Sequence, residues 1–333
     1  MIILWLKNHS IAKVLRNYQN KALCRNQDSL WVFFVYMSWR IVYVEKSDYI
    51  SSYLDNLKIK KGIDEIKIPF SDINSIIIDN NQTTITTGLI NKCVEYKINL
   101  VICDYFHLPS SILLPYSGNY QTSLVLFNQL NWKKESKEYI WKEIVKAKIF
   151  NQKTVLRLTH KSTEIIDLLE KYMNEVGEGD VTNREGLAAK SYFRELFGKD
   201  FNRNEDNIIN ASLNYGYSII RSQICRSLVA RGLNPHFGIF HKGIGNGFNL
   251  ADDLIEVYRP IVDLWVYRNI NNYDIFNKDI RINLINLTTK KIRYGNSNIT
   301  IINSINSFIN QIIDFFETGI ISEMVIPNVE YNE

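Results

Sequence analysis

The sequence predicts an α+β chain: an N-terminal β-sheet domain with one helix, then a larger, all-helical domain containing a small β-hairpin. Three observations predict it. Between about residues 39 and 115, short runs rich in β-branched residues are punctuated by Pro69, Pro109 and Pro115, as strands and their turns are. From about Tyr120 the apolar spacing lengthens to that of amphipathic helices. Near residue 295, Lys291-Ile292-Arg293-Tyr294 and Ile299-Thr300-Ile301 flank Gly295-Asn296, a turn pair that favours a hairpin. The 333 residues, 46% of them hydrophobic, suffice for about two domains.

In order, the strand pattern marks Trp39–Val44, Leu57–Lys60, Ile66–Ile68, Ile73–Ile78 and Leu100–Cys103. Between the last two, Leu89, Ile90, Cys93, Val94 and Tyr96 give residues 86–98 one helical face. Tyr139, Ile140, Ile144, Val145, Ile149 and Val155 predict a long helix, and Ile165, Ile166, Leu168, Leu169 and Tyr172 another. Gly177-Glu178-Gly179-Asp180 breaks the pattern, and helices are expected over 183–197, 206–231, 250–268 and 301–317. The expected parts are a β-rich domain over 37–119, a helical domain over 120–322 and a tail over 323–333. A composition break near Met37 sets off residues 1–36, read as an extension from an upstream start choice or a poorly ordered arm.

Bulk charge identifies no partner. The net charge is +4, but residues 1–36 hold five bases (Lys7, Lys13, Arg16, Lys21, Arg25) and one acid, Asp28, and the rest carries as many acids as bases. A nucleic-acid surface must therefore arise by local clustering. Cys24, Cys93, Cys103 and Cys225 form no Cys-x-x-Cys pair and no zinc spacing, so a reducing cytoplasm is expected. No apolar run approaches the roughly 20 residues of a membrane span.

Three segments carry metal-ligand chemistry: Arg184-Glu185-Gly186-Leu187-Ala188-Ala189, Gly238-Ile239-Phe240-His241, and Asp253-Leu254-Ile255-Glu256 before Arg259-Pro260. Each has an ordinary reading. Thr182-x-x-Glu185 matches a helix capping box. His241 reads equally as a satisfied polar residue at the end of an apolar stretch; His236 follows Pro235, and His107 and His160 have no comparable setting. Asp252, Asp253 and Glu256 suit a helix start electrostatically, and Glu256 can pair with Arg259. Together, Glu185, His241 and Glu256 offer two carboxylates and an imidazole, a set that holds a divalent ion with open positions, as phosphodiester chemistry needs.

In this order the segments resemble the CRISPR-associated integrase, the Cas-one family, most closely its type II branch. Matching pieces run from Met37-Ser38-Trp39-Arg40, through Leu100-Val101-Ile102-Cys103-Asp104 with His107-Leu108-Pro109, the Glu185 segment with Tyr192-Phe193, and Asn214-Tyr215-Gly216-Tyr217, to the His241 and Glu256 segments. Residues 1–36 have no counterpart. The resemblance implies a dimerising β domain and a helical catalytic domain with a metal triad that falls on Glu185, His241 and Glu256, with Asp253 as a supporting acid. It implies a metal-dependent endonuclease and integrase that joins prespacer 3′-hydroxyl ends to the CRISPR repeat by transesterification, using Mg2+ or Mn2+, in the prokaryotic cytoplasm. The implied partners are double-stranded DNA, a second copy of the chain, the small Cas-two adaptation protein, and the type II effector nuclease with an accessory subunit. Arg184, Arg221, Lys242 and Arg259 are the foremost candidates for DNA contact, among a wider set with Lys190, Arg194, Arg226 and Arg231. Two other readings stay open: a non-catalytic DNA-binding scaffold, in which the same residues only cap and pair, and a metal nuclease of DNA repair.

Overall fold

The computed structural model describes residues 40–115, 119, 121–319 and 324–331. The extension expected over 1–36 lies outside the described residues. The N-terminal region contains β1 (Arg40–Val44), β2 (Tyr49–Tyr53), β3 (Asn56–Lys61), β4 (Asp64–Pro69), β5 (Ile73–Ile78), β6 (Thr84–Ile85), α1 (Thr87–Glu95), β7 (Asn99–Cys103) and β8 (Pro109–Leu113). One sheet has the order β1-β5-β7-β8, with the first three strands parallel and β8 antiparallel to β7. The other has the order β4-β3-β2-β6. β5 is buried along its whole length, as a central parallel strand covered on both faces should be. That is why Ile73, Ile76, Ile77 and Ile78 stood out in the sequence.

Three N-terminal strands escaped the sequence reading: β2, β6 and β8. Residues 53 and 56 pair directly, so β2 and β3 are joined by Leu54 and Asp55 alone. Both have positive φ, 44° and 56°, where two-residue hairpin turns ordinarily carry Gly or Asn.

The second region holds α2 (Thr122–Leu130), α3 (Lys134–Leu158), α4 (Thr163–Asn174), α5 (Arg184–Phe197), α6 (Ile208–Ala230), α7 (Asn249–Ile255), α8 (Arg259–Asn269), α9 (Lys278–Leu287), β9 (Lys291–Tyr294), β10 (Ser297–Thr300), α10 (Ile301–Thr318) and β11 (Pro327–Tyr331). No helix among the described residues is long and apolar enough to cross a membrane. Two expectations are corrected. The single helix over 250–268 is two, because Pro260 lies in the first turn of α8; a proline ring clashes with the carbonyl four residues back and supplies no N–H. The turn thus formed carries Glu256. The hairpin gains a third strand, since β11 from the expected tail pairs with β9.

Helix α6 runs through the core, with Leu213, Tyr215, Ile219, Ile220, Ile224, Cys225 and Leu228 all buried. Gly216 lets α8 approach: a Cβ there would stand 2.5 Å from Val262 Cγ1. Buried side-chain bonds tie the first sheet to α6, from Asn99 Nδ2 to Ser222 Oγ (2.9 Å) and from Gln223 Nε2 to Ser75 Oγ (2.7 Å). On α3, buried Asn151 donates through Nδ2 to the carbonyls of Val257 and Pro327, each at 2.8 Å. One amide thus joins the long helix, the Glu256 turn and the last strand.

Candidate functional site

Helix α5 begins differently from the expected capping box. Asn183, at φ 51°, accepts from the Gly186 amide at 3.1 Å, and Asp180 accepts from the Arg184 and Glu185 amides at 2.9 Å each. The orphan amides of the first turn are thereby satisfied. The Glu185 carboxylate is left for another partner, Lys148 Nζ at 2.6 Å.

Lys148 lies in the middle of α3 with 9% of its side chain exposed. Its ammonium also sits 2.5 Å from Glu256 Oε2. The other oxygen of Glu256 accepts from Arg259 Nε at 2.8 Å. Glu256 is almost wholly buried. Burial pushes its carboxyl up, but Arg259 and Lys148 outweigh burial and hold it well below the usual carboxylate range. Burial likewise works against the Lys148 ammonium, and Glu256 and Glu185 overcome it, so its pKa is raised. Two carboxylates and two cations form one mutually neutralising row, with Lys148 and Glu256 buried and Glu185 and Arg259 partly exposed.

His241 is placed by its own loop. Its Nδ1 lies 2.7 Å from Asp253 Oδ1, and Asp253 is fully buried. That carboxylate also accepts from the amides of Ile239 (2.6 Å), Phe240 (3.1 Å) and His241 (3.0 Å). Gly238 is required here, because a Cβ would collide with the His241 carbonyl and the Asp253 carboxylate. A carboxylate only accepts hydrogen bonds, so Nδ1 carries the proton and the neutral ring keeps a lone pair on Nε2. The bond to Asp253 raises the His241 pKa against the opposing effect of burial, with Glu256 adding to the rise. Phe240 stacks on Trp141 at 4.3 Å and 0°, and the His241 ring meets Trp141 edge-on at 5.7 Å. Trp141 and Lys148 are seven residues apart on α3 and share its inner face. One helix therefore supports both the imidazole and the acid pair.

The structure thus brings Glu185 and Glu256 together on one ammonium and places His241 on a separate, Asp253-held support. Among the described residues, no three His, Cys, Asp or Glu side chains are grouped tightly enough to close around an ion. Of the foremost basic candidates, Arg184 pairs with Glu175 (3.1 Å), Arg221 with Asp252 (3.4 Å) and Arg259 with Glu256, while Lys242 is exposed. In the wider set, Lys190 is exposed, whereas Arg226 and Arg231 donate to nearby carbonyls and amides. Tyr192, Tyr215 and Tyr217 are core residues, and the hydroxyls of Tyr192 and Tyr217 donate to buried Asp263.

The family described as CRISPR associated protein Cas1 matches residues 41–291. A curated relative, the CRISPR-associated endonuclease Cas1 of Neisseria meningitidis serogroup C, is 38% identical over 230 residues, 69% of this chain and 75% of that protein. The chain belongs to the Cas1 family. A Cas1 relative from Saccharolobus solfataricus, also named an endonuclease, is 28% identical over 249 residues, 66% of this chain and 69% of its own. Among solved structures, a casposase bound to integration product superposes with a TM-score of 0.71 at 23% identity, covering 85% of this chain and 92% of that one. A Cas6-RT-Cas1–Cas2 complex gives 0.69 at 18% identity, over 93% of this chain and 37% of that one. At these identities the likeness shows a shared fold.

Two features of this Cas1 protein escaped the sequence reading. Lys148 follows Ile144 by four residues and precedes Ile149 on an apolar stripe, and a lysine on a buried stripe was the available signal. His107 was judged to have no setting like that of His241. The structure adds a contact of His107 Nδ1 with buried Asp79 at 2.7 Å, which no local spacing reveals.

Proposed function

We propose that this Cas1 protein is a divalent-metal-dependent DNA endonuclease and integrase of CRISPR adaptation, joining prespacer 3′-hydroxyl ends to the CRISPR repeat by transesterification. The observation that carries the reading is that Glu256, buried, and Glu185, partly buried, meet on one ammonium nitrogen, while His241 is held through Nδ1 by Asp253. The donor set fits Mg2+ or Mn2+, the imidazole inclining it to Mn2+. Glu256 Oε2 is buried and, though close to Lys148, lacks a hydrogen bond of good geometry, as befits an oxygen available to a cation.

Glu185, Glu256 and His241 Nε2 would hold the ion. When bound, it would neutralise charge on the scissile phosphate and favour deprotonation of the attacking hydroxyl. The chain's own residues do the rest. Asp253 fixes the imidazole tautomer and its direction, and Arg259 keeps Glu256 ionised. Exposed Lys242, directly after His241, would bind a phosphate and position DNA without reading its sequence. No side-chain nucleophile is needed, since the DNA hydroxyl attacks.

Double-stranded DNA, a second copy of the chain and the small Cas2 protein are the proposed partners, with the type II effector nuclease and an accessory subunit acting alongside, in the prokaryotic cytoplasm. The casposase bound to integration product and the Cas6-RT-Cas1–Cas2 complex that share this fold support the first and third. The test is strand transfer with purified protein, its small partner, Mn2+ and a repeat-bearing plasmid. Joined, branched DNA is expected, and Glu185→Gln, His241→Ala or Glu256→Gln should abolish it. Full activity in any of these variants would refute that residue's role, and cleavage fragments without joined DNA would leave only a nuclease.

A further inference from the structure

We propose that Lys148 is a built-in counter-ion that competes with the divalent cation for Glu185 and Glu256, so that metal loading requires its ammonium to leave the space between them. The inference rests on the metal reading above and deepens it.

Lys148 is buried and spans the two acids, at 2.6 Å from Glu185 Oε1 and 2.5 Å from Glu256 Oε2. Glu256 Oε1 is already taken by Arg259. Oε2 is therefore the oxygen best placed to bind an ion, and it is the one Lys148 covers. A cation held by both acids would compete with the ammonium for their carboxylates.

The two cations of the row differ in freedom. The guanidinium of Arg259 lies over the Tyr217 ring at 4.6 Å, and a planar fork stacked in this way is fixed in direction. Lys148 has a four-carbon stem and a point charge, so it can withdraw by rotation about its side-chain bonds. It is the displaceable member.

The arrangement has two consequences. Without metal, the ammonium neutralises two neighbouring carboxylates that would otherwise repel one another. A monovalent ion would replace one positive charge with another and gain little, whereas a divalent ion adds charge, so competition by Lys148 favours divalent ions over Na+ and K+.

The test measures Mn2+ binding to the full chain by calorimetry and by the loss of free-ion EPR signal, with thermal melts alongside. In Lys148→Met the acid pair loses its counter-ion. Mn2+ should bind at least about tenfold more tightly, the metal-free protein should melt lower, and Mn2+ should raise the melting temperature more than in the unaltered protein. Lys148→Arg, which keeps the charge should the Met variant fail to fold without metal, presents a fork that grips both carboxylates. It should bind Mn2+ at least about tenfold more weakly. Unchanged affinity in the two variants, or weaker binding in Lys148→Met, would overturn the proposal; the latter would mean that Lys148 helps to hold the ion. Failure of the unaltered protein to bind Mn2+ through Glu185, His241 and Glu256 would remove the metal reading and this inference with it. Normal binding indifferent to Lys148 removes the inference alone.

Discussion

Among the described residues are two histidine–carboxylate pairs of nearly identical local geometry. His241 meets Asp253 and His107 meets Asp79, each through Nδ1 at 2.7 Å, with the imidazole partly exposed and the carboxylate buried. They differ in what else each carboxylate holds. Asp253 accepts three backbone amides from the loop that carries its own histidine. Asp79 instead joins distant elements: Arg281 of α9 lies 3.1 Å away, and the Tyr43 hydroxyl of β1 donates to it. The first pair builds a loop around its own imidazole. The second ties a sheet to a helix, and its histidine is an accessory. A His–Asp contact is therefore not evidence of a reactive site, because the carboxylate's remaining partners decide what the contact does.

Exchanging the two histidines for alanine probes this contrast most sharply. His241→Ala should reduce Mn2+-dependent DNA cleavage to the protein-free level while leaving the melting temperature nearly unchanged. His107→Ala should leave cleavage within about twofold and cost roughly 1 kcal/mol, the scale of one hydrogen bond. The carboxylates should divide the other way. Asp79→Ala abandons the buried Arg281 guanidinium and should cost about 3–5 kcal/mol in urea unfolding, with cleavage per folded molecule retained. Asp253→Asn should lower cleavage by about 10- to 100-fold, the effect of losing the group that orients a ligand. Tyr43→Phe should cost about 1 kcal/mol and leave cleavage intact.

The smallest effect is one of pH. The folded-state pKa of His241 lies above its ordinary 6.5, chiefly through Asp253. The native protein therefore binds that proton more tightly than the unfolded chain, so the stability it contributes is full below the ordinary value and is lost as pH rises through the raised one. Metal-free melts from about pH 5.5 to about pH 8.5 should show this downward trend, and His241→Gln should flatten it. An unchanged slope would mean that Asp253 serves the loop amides alone.

Much of the fold was legible where one local rule sufficed. β5 is an apolar run because both its faces are covered, and the hairpin of β9 and β10 turns on Gly295-Asn296. Legibility failed where a nonlocal contact overrode the local signal. Leu54 and Asp55 adopt a turn that their residue types do not announce, and β11 is a strand only because β9 offers an edge. At the candidate site, the acid-bearing segments and their order were visible, but Lys148, which joins them, is a single polar residue on an apolar stripe. Asp253 looked like a helix-start acid, and only the folded loop reveals its four acceptor contacts.

The two hydrogen bonds donated by Asn151 have a practical consequence. Its side chain grips both the Glu256 turn and the strand formed by the last described residues, one helical turn from Lys148. Trimming the chain after Ile326, or fusing an affinity handle there, would therefore loosen the Glu256 turn of the proposed site, and a sluggish tagged preparation would report the handle rather than the protein.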